Sequence, residues 1–323
     1  MLGYAFKEYN FLGGSIKVIT IYNFSEGQED IFCISIGEQE KTNLLVDGGN
    51  GNIDFITKMG EFEIKELHYV LLTHIDQDHI KGLIKLFKNK ENYEGVTVIY
   101  NKFINGVISY NQAKQFEELT ERFHNIVSYR EYQDSVGSII FLSTGQREKL
   151  EKEEGKIYIT FLSPNKEKVQ KLYEYYDYYK SKNKRRAGNG KIVNQSSIIF
   201  ILEYNDYVVL MTGDGYIEDI IEDIKDLSDT NKTNNPIEKF DIIKIPHHGS
   251  EDNNKQLDEL LKRLPCDKFI ITNKFKDFKQ GDVRIKKELI DILNGKKVYS
   301  SSYEGEYKDK EILTVIKENT IRL

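Results

Sequence analysis

The sequence has little cysteine: only Cys33 and Cys266 among 323 residues. That excludes a disulfide framework as the source of stability and a zinc site of the multi-cysteine kind. It has no run approaching the roughly 20 apolar residues a membrane span requires. The stretch from Met1 to Lys17 lacks a basic segment followed by a long apolar core. No signal peptide is therefore expected, and cytoplasmic residence is the simplest expectation. Nor is there a large excess of one charge. Lysine and arginine total 46 against 52 acidic residues, a formal net charge of -6. That gives no overall nucleic-acid footprint, although local patches can exist. Gly-x-Ser-x-Gly and Gly-x-x-x-x-Gly-Lys are absent, which argues against a serine-elbow hydrolase and a phosphate-cradling loop.

What is there is a chain long enough to bury a sizeable core. Apolar runs rich in Ile, Val, Phe and Tyr recur at Ile16–Tyr22, Ile31–Ile36, Asn43–Val46, His68–Leu72, Val96–Tyr100, Ser138–Leu142, Ile157–Leu162, Ser197–Tyr204, Tyr207–Met211, Asp241–Ile245, Lys268–Ile271 and Ile312–Ile316, and these read as strands. Helical patterns lie between them at Ile53–Met59, Asp78–Lys88, Asn111–Phe123, Lys166–Lys182, Ile217–Leu227, Lys255–Arg263 and Val283–Leu293. Strand pairs followed by single helices predict a layered protein with mixed sheets rather than a pure βαβ repeat. One pattern echoes another. Leu44-Leu45-Val46-Asp47-Gly48 is followed 27 residues after Asp47 by His74, and Leu210-Met211-Thr212-Gly213-Asp214-Gly215 is followed 33 residues after Asp214 by His247. Each half thus offers an Asp at one strand end and a His at a later one, where loop residues can converge on a ligand.

Histidine is scarce but concentrated. Of six, four lie in two clusters. Thr73-His74-Ile75-Asp76-Gln77-Asp78-His79 puts two imidazoles and two carboxylates within six positions, directly after an apolar run. Pro246-His247-His248-Gly249-Ser250 follows another. These are ligand types that divalent first-row transition metals accept. Asp78 is suited to cap the helix that follows, with His79 near its first turn. Alternation along an extended loop would put His74, Asp76 and Asp78 on one rim.

The segment from Thr73 to His79, followed by Gly82, resembles the signature of metallo-β-lactamase-fold hydrolases, usually His-x-His-x-Asp-His, with Asp76 in place of the second His. Leu45-Val46-Asp47-Gly48-Gly49, Thr212-Gly213-Asp214 and Ile245 to Ser250 resemble that family's other motifs, in order. The Asp-for-His change, the Pro-His-His-Gly-Ser form, Asn194-Gln195-Ser196-Ser197 before a strand, and Ser25 to Asp30 resemble the hydrolase domain of ComEC-type DNA-uptake proteins. The resemblance spans about Ile16 to Ile271. Two departures stand out. The family's third His motif has no counterpart, Asn194 to Ser197 sitting where it should, and His124 lies well upstream in a helical stretch. The chain beyond Ile271 is lysine-rich and without a further His motif.

The resemblance implies an α+β fold, a four-layer αββα sandwich of two mixed sheets flanked by helices, as one domain over residues 1–323. It implies a site for one or two divalent ions at one edge of the sheets. His74 and Asp76 would serve one position, Asp78 and His79 the other, Asp214 would bridge, and His247, first after its strand, would complete the shell. His248 would then support the shell or face substrate, and Asp78 would also orient water. Asp47 is expected to anchor the loop without touching metal, and His68 to be structural. An extra carboxylate in place of imidazole shifts preference from zinc toward manganese. A metal brings the pKa of water near roughly 7, so hydroxide is available at neutral pH for attack on phosphorus or a carbonyl carbon. The DNA-uptake resemblance favours a phosphodiester substrate, in nucleic acid or a nucleotide. Residues 166–191 interleave Tyr173, Tyr175, Tyr176, Tyr178 and Tyr179 with basic groups from Lys180 to Lys191. Such a segment can clasp phosphates and stack bases as a substrate flap, or pack as an aromatic helix face ending in a solvated loop. A hydrolase of a small ester, thioester or lactam, and a non-catalytic scaffold subunit, are the alternatives.

Overall fold

The structure, a computed structural model, describes residues 18–37, 41–88, 93, 95–101, 111–121, 125–128, 139–141, 157–165, 167–172, 174, 190–229, 237–273, 285–308 and 312–323. Among these, two sheets carry the strands. The first begins with a meander, β1 (Ile19–Asn23), β2 (Phe32–Ile36) and β3 (Thr42–Val46), each antiparallel to the last. It continues in parallel with β4 (Tyr69–Leu71), β5 (Thr97–Tyr100) and β6 (Asn125–Ser128).

The second sheet repeats this course. The strands β7 (Ile139–Phe141), β8 (Ile157–Ser163), β9 (Ile199–Tyr204) and β10 (Tyr207–Met211) run antiparallel to one another. Parallel pairing follows through β11 (Ile242–Lys244), β12 (Lys268–Ile270) and β13 (Lys297–Ser300). The strand β14 (Gly305–Lys308) forms the edge, and β15 (Ile312–Lys317) pairs parallel to β13. The last strand, β16 (Thr320–Arg322), returns to the first sheet beside β1. The short strands β6, β13, β14 and β16 were not anticipated from the sequence; a run such as Thr-Ile-Arg is too short to show alternation.

Three apolar layers divide these sheets from each other and from the helices, which makes the four-layer arrangement. Along β3, Leu44 and Val46 face the second sheet while Leu45 faces α1 (Phe55–Glu61) and α2 (Gln77–Lys88). Along β10, Val209 and Met211 face the first sheet while Leu210 faces α5 (Ile217–Asp229) and its neighbours. Both strands are therefore buried on both faces, which is why they read as unbroken apolar runs. Each such side chain contributes about 1.5–3 kcal/mol by leaving water. The helix α3 (Asn111–Thr120) packs on α2, α4 (Gly190–Gln195) precedes β9, and α6 (Leu257–Arg263) and α7 (Lys287–Leu293) cover the second sheet.

Two glycines let α2 sit against the loop after β3. Gly48 N–H donates to the His79 carbonyl at 2.7 Å, and Gly82 N–H donates to the Gly49 carbonyl at 3.1 Å. A Cβ on Gly82 would lie 1.7 Å from the Gly48 oxygen, so no other residue fits. The helix begins at Gln77, so Asp78 stands inside its first turn rather than at its cap. The Asp76 carbonyl instead accepts from His79 and Ile80 N–H. Of residues 166–191, most of the tyrosines and basic groups lie outside the described residues, as does His124.

Candidate metal centre

The parallel strands of both sheets end at one edge, and each releases a loop there. Asp47 follows β3, His74 to His79 follow β4, Asp214 follows β10, His247 and His248 follow β11, and Thr272 follows β12. Loops at the carboxyl ends of parallel strands are where ligand groups gather in such folds. Every metal-ligand residue expected from the sequence is at this edge. His74 Nε2 lies 3.8 Å from both Asp76 Oδ2 and Asp214 Oδ2. His79 Nε2 lies 3.5 Å, and His247 Nε2 3.7 Å, from the same Asp214 Oδ2. His248 Nε2 lies 3.5 Å from Asp78 Oδ2. Among the described residues three groups of three have donor atoms within 4.8 Å of one another: His74, His79 and Asp214; Asp78, His79 and His248; and Asp30, Asp47 and His79.

These distances are informative. They exceed hydrogen-bond length, yet His74, His79, Asp214 and His248 are buried. Two donors about 2.1 Å from one ion, at octahedral or tetrahedral angles, are roughly 3.0–3.4 Å apart. The observed spacings are a few tenths of an ångström above that. Moreover His74 Nε2, His79 Nε2, His248 Nε2 and Asp214 Oδ1 are buried without a hydrogen-bond partner. A buried polar atom left unsatisfied costs about 1–3 kcal/mol. Four in one place, all lone-pair donors to a cation, fit a divalent metal, and the imidazole and carboxylate donor set suits zinc or manganese.

The surroundings aim these atoms inward. The Asp47 carboxylate accepts from Thr73 N–H and Thr73 Oγ1–H, both at 2.7 Å. It also accepts from His79 Nδ1 at 2.8 Å. Thr73 Oγ1, having donated to Asp47, accepts from His74 Nδ1 at 3.1 Å. Across the site, Thr272 Oγ1 donates to Asp30 Oδ1 at 2.7 Å and so accepts from His248 Nδ1 at 2.9 Å. In all three imidazoles the proton is placed on Nδ1 and the lone pair on Nε2, the usual way a second group fixes a metal-binding imidazole. Asp47 thus anchors the loop as expected. His68 Nδ1 accepts from Asn43 N–H at 3.1 Å.

Electrostatics separate the groups. Burial pushes the His74 pKa down to about 3. Burial acts the same way on His79, but Asp214 and Asp47 on either side outweigh it and hold its pKa well above the ordinary value. Burial raises Asp76 to about 6, with Asp78 and Asp214 adding to it. Burial also opposes ionisation of Asp78 and Asp214, yet His248 and His79 beside the first, and His79, His248 and His247 around the second, keep both well below the usual carboxylate range.

Three contributors had not been singled out. Lys244 is completely buried at the end of β11, its ammonium paired with Asp30 and donating to the Gly213 carbonyl at 2.9 Å. Asp30 and Thr272 complete the chain of contacts behind His248. A lone lysine inside Ile242-Ile243-Lys244-Ile245 was the available signal for the first of these. The backbone is strained at the tandem histidines: His247 has φ 44° and ψ 53°, and His248 φ 55° and ψ 19°. Left-handed conformation costs an L-residue about 1–2 kcal/mol, and such strain collects at functional sites.

The sequence profile described as the metallo-beta-lactamase superfamily matches residues 27–160. No curated protein sequence matches significantly. Among solved structures the chain is similar to a putative metal-dependent hydrolase from Parabacteroides distasonis, at 16% identity over 91% of this chain and 100% of that one, with a TM-score of 0.47. It is also similar to CmlA, a diiron beta-hydroxylase from Streptomyces venezuelae (14% identity, 90% of this chain and 45% of that one, TM-score 0.40). A third similar structure is a long form RNase Z from yeast (13%, 86% and 40%, TM-score 0.41). The chain spans about half or less of the length of the hydroxylase and of the RNase Z. The profile match and the two mixed sheets between helices give this chain the metallo-β-lactamase fold, in the α+β class.

Proposed function

We propose that the chain is a metal-dependent hydrolase that cleaves phosphodiester bonds, as a phosphodiesterase or nuclease. The observation that carries the metal dependence is the set of buried, unpartnered Nε2 and Oδ atoms converging on Asp214. His74, Asp76, Asp78, His79, Asp214 and His247 would hold one or two divalent ions, zinc or manganese. When bound, such an ion lowers the pKa of water and steadies the charge that develops on the oxygens of the group attacked.

The chain's own residues then have distinct tasks. Asp78, with its side chain 38% exposed, stands at the mouth of the site and stays ionised beside His248, so its Oδ2 can accept a proton of the attacking water and orient it. Asp214, completely enclosed, fixes the imidazoles. Lys191 lies over the Tyr216 ring, 5.8 Å from its centroid, and Tyr216 contacts Asn253, the partner of His247. A cation at that rim suits a phosphate. The sequence resemblance to DNA-uptake hydrolases and the basic, tyrosine-rich segment at 166–191 favour nucleic acid or a nucleotide as the substrate class.

The test is hydrolysis of bis-p-nitrophenyl phosphate by metal-stripped protein resupplied with manganese or zinc, with Asp214→Ala as control, followed by linear DNA and RNA. Turnover that requires metal and vanishes in the variant is expected. Bound metal without turnover of any phosphodiester would contradict the substrate class and favour a small ester. Absence of bound metal would overturn the assignment of the site.

A further inference from the structure

A lysine ends the apolar strand β11. Ile242 of that strand packs in the layer between the two sheets, while Ile243 and Ile245 pack toward the outer helices. Alternation puts Lys244 on the side of Ile242, as the last residue of that inter-sheet face before the turn that carries His247 and His248. It is completely buried. Stability is a weak reason for its presence, since apolar residues of similar volume in place of a buried ion pair are often as stable or more so.

The Lys244 ammonium pairs with Asp30 Oδ2, donates to the Gly213 carbonyl at 2.9 Å, and lies 3.7 Å from Asp214 Oδ1. Asp30 comes from the loop before β2, so the pair joins the two sheets beneath the site. An ammonium offers hydrogens only, and a carboxylate held by one can only accept. Asp30 Oδ1 must therefore take the Thr272 hydroxyl hydrogen, at 2.7 Å. With that hydrogen spent, Thr272 Oγ1 has only lone pairs left for His248 Nδ1, at 2.9 Å. The imidazole donates there, which leaves its lone pair on Nε2. The opposite tautomer would send a proton toward Asp78 Oδ2, 3.5 Å from Nε2. The Asp78 side chain is open to solvent and does not depend on that proton, whereas the buried Nδ1 depends on Thr272.

We propose that Lys244 is a positioning residue of the site. Its ammonium sets the direction of each hydrogen bond from Asp30 through Thr272 to His248, and so keeps the Nε2 lone pair of His248 facing the space beside Asp78 and His79. The use of that lone pair rests on the reading of the site as a metal centre; the direction of the chain does not.

The test reads the proton rather than turnover. Metal-free protein labelled with 15N at histidine would be examined by long-range 1H–15N correlation at about pH 8, where an ordinary imidazole is neutral. The His248 signals are assigned by their absence in His248→Gln. The native protein is expected to show His248 as the Nδ1–H tautomer. Asp30→Asn is nearly isosteric and keeps Lys244. The ammonium draws the amide oxygen to itself, the amide nitrogen donates to Thr272, and Thr272 donates onward, so the Nε2–H tautomer is expected. Lys244→Met removes the charge that fixes the chain, and a mixture of tautomers is expected. Circular dichroism checks that each variant is folded, and Asp30→Asn decides alone if Lys244→Met is not. An Nε2–H tautomer in the native protein, or the native tautomer retained in either folded variant, would overturn the proposal. Calorimetry with manganese on the same proteins tests the use of the lone pair: affinity roughly 10–100-fold lower in Asp30→Asn is expected. Unchanged affinity in that variant would overturn that use. A native protein that binds no metal, with the tautomers as expected, would bring down the metal reading and leave the role of Lys244 in the chain standing.

Discussion

Asp47 and Asp214 lie in corresponding loops of two versions of one strand course. Asp47 is the first residue after β3 and Asp214 the third after β10, and each of these strands pairs antiparallel with its predecessor and parallel with its successor: β3 between β2 and β4, β10 between β9 and β11. Each is buried at the same edge. Their carboxylates have different fates. Asp47 is surrounded by donors, from Thr73 and His79, that satisfy it. Burial nonetheless raises its pKa. Asp214 has one oxygen without a hydrogen bond, 3.7 Å from the Lys244 ammonium, and the other facing nitrogens of His74, His79 and His247, and its pKa is held down against burial by His79, His248 and His247. On the proposed reading the first serves as a support and the second as a ligand. A strand-end Asp is thus a position the fold provides, and the neighbours decide whether it binds.

The comparison can be broken most forcefully at the carboxylates. Asp214→Asn is expected to lower metal-dependent phosphodiesterase turnover by about 10³-fold or more, since a bound cation contributes several kcal/mol. Asp47→Asn is expected to cost roughly 10–100-fold in metal affinity, recoverable with excess metal. Titrating metal into each variant while following turnover separates the two. Equal, unrecoverable losses would erase the distinction between ligand and support.

A second contrast concerns a glycine in α2 and a glycine after β10. A Cβ on Gly82 meets the Gly48 backbone at 1.7 Å, whereas a Cβ on Gly215 meets the tip of Ile199 at 2.4 Å. Gly82→Ala is expected to destabilise by about 3 kcal/mol or more, because backbone must separate, and Gly215→Ala by about 1–2 kcal/mol, because a side chain can yield. Thermal unfolding of the two variants orders them. Thr272→Val is expected to act more narrowly, weakening metal binding roughly 10–100-fold through His248 with an unfolding temperature lowered by only a few degrees. The smallest effect sharpens the comparison by leaving both halves untouched. Cys33 in the first sheet and Cys266 before β12 are buried, with burial pushing each thiol up to about 12. Neither is expected to react with iodoacetamide in the native protein at pH 8, and mass spectrometry after brief exposure reads this.

Much of this arrangement was legible in the chain because it is written locally. The strands buried on both faces, β2, β3, β9 and β10, appear as apolar runs, and the echo of Asp47 with Asp214 anticipated the repeated strand course. The proposed ligand residues other than Asp214 are dense in two short segments, so sequence proximity stood in for spatial proximity. What escaped notice depends on distant partners. Asp30 meets Thr272 and Lys244 only when β2, β11 and β12 are brought to one edge. Nothing in the local pattern of Thr272 marks it as the group behind His248. Likewise the choice of His247 as first after the strand rested on order alone, and could not foresee two left-handed residues that present both rings to one site.

The most direct measurement is calorimetric titration of metal-stripped protein with manganese and with zinc, for the native sequence and for Asp214→Asn and Asp47→Asn. Tight binding by the native protein, near abolition in Asp214→Asn, and weakened but saturable binding in Asp47→Asn are predicted. Absence of binding by the native protein, or binding by Asp214→Asn as tight as the native, would contradict the account.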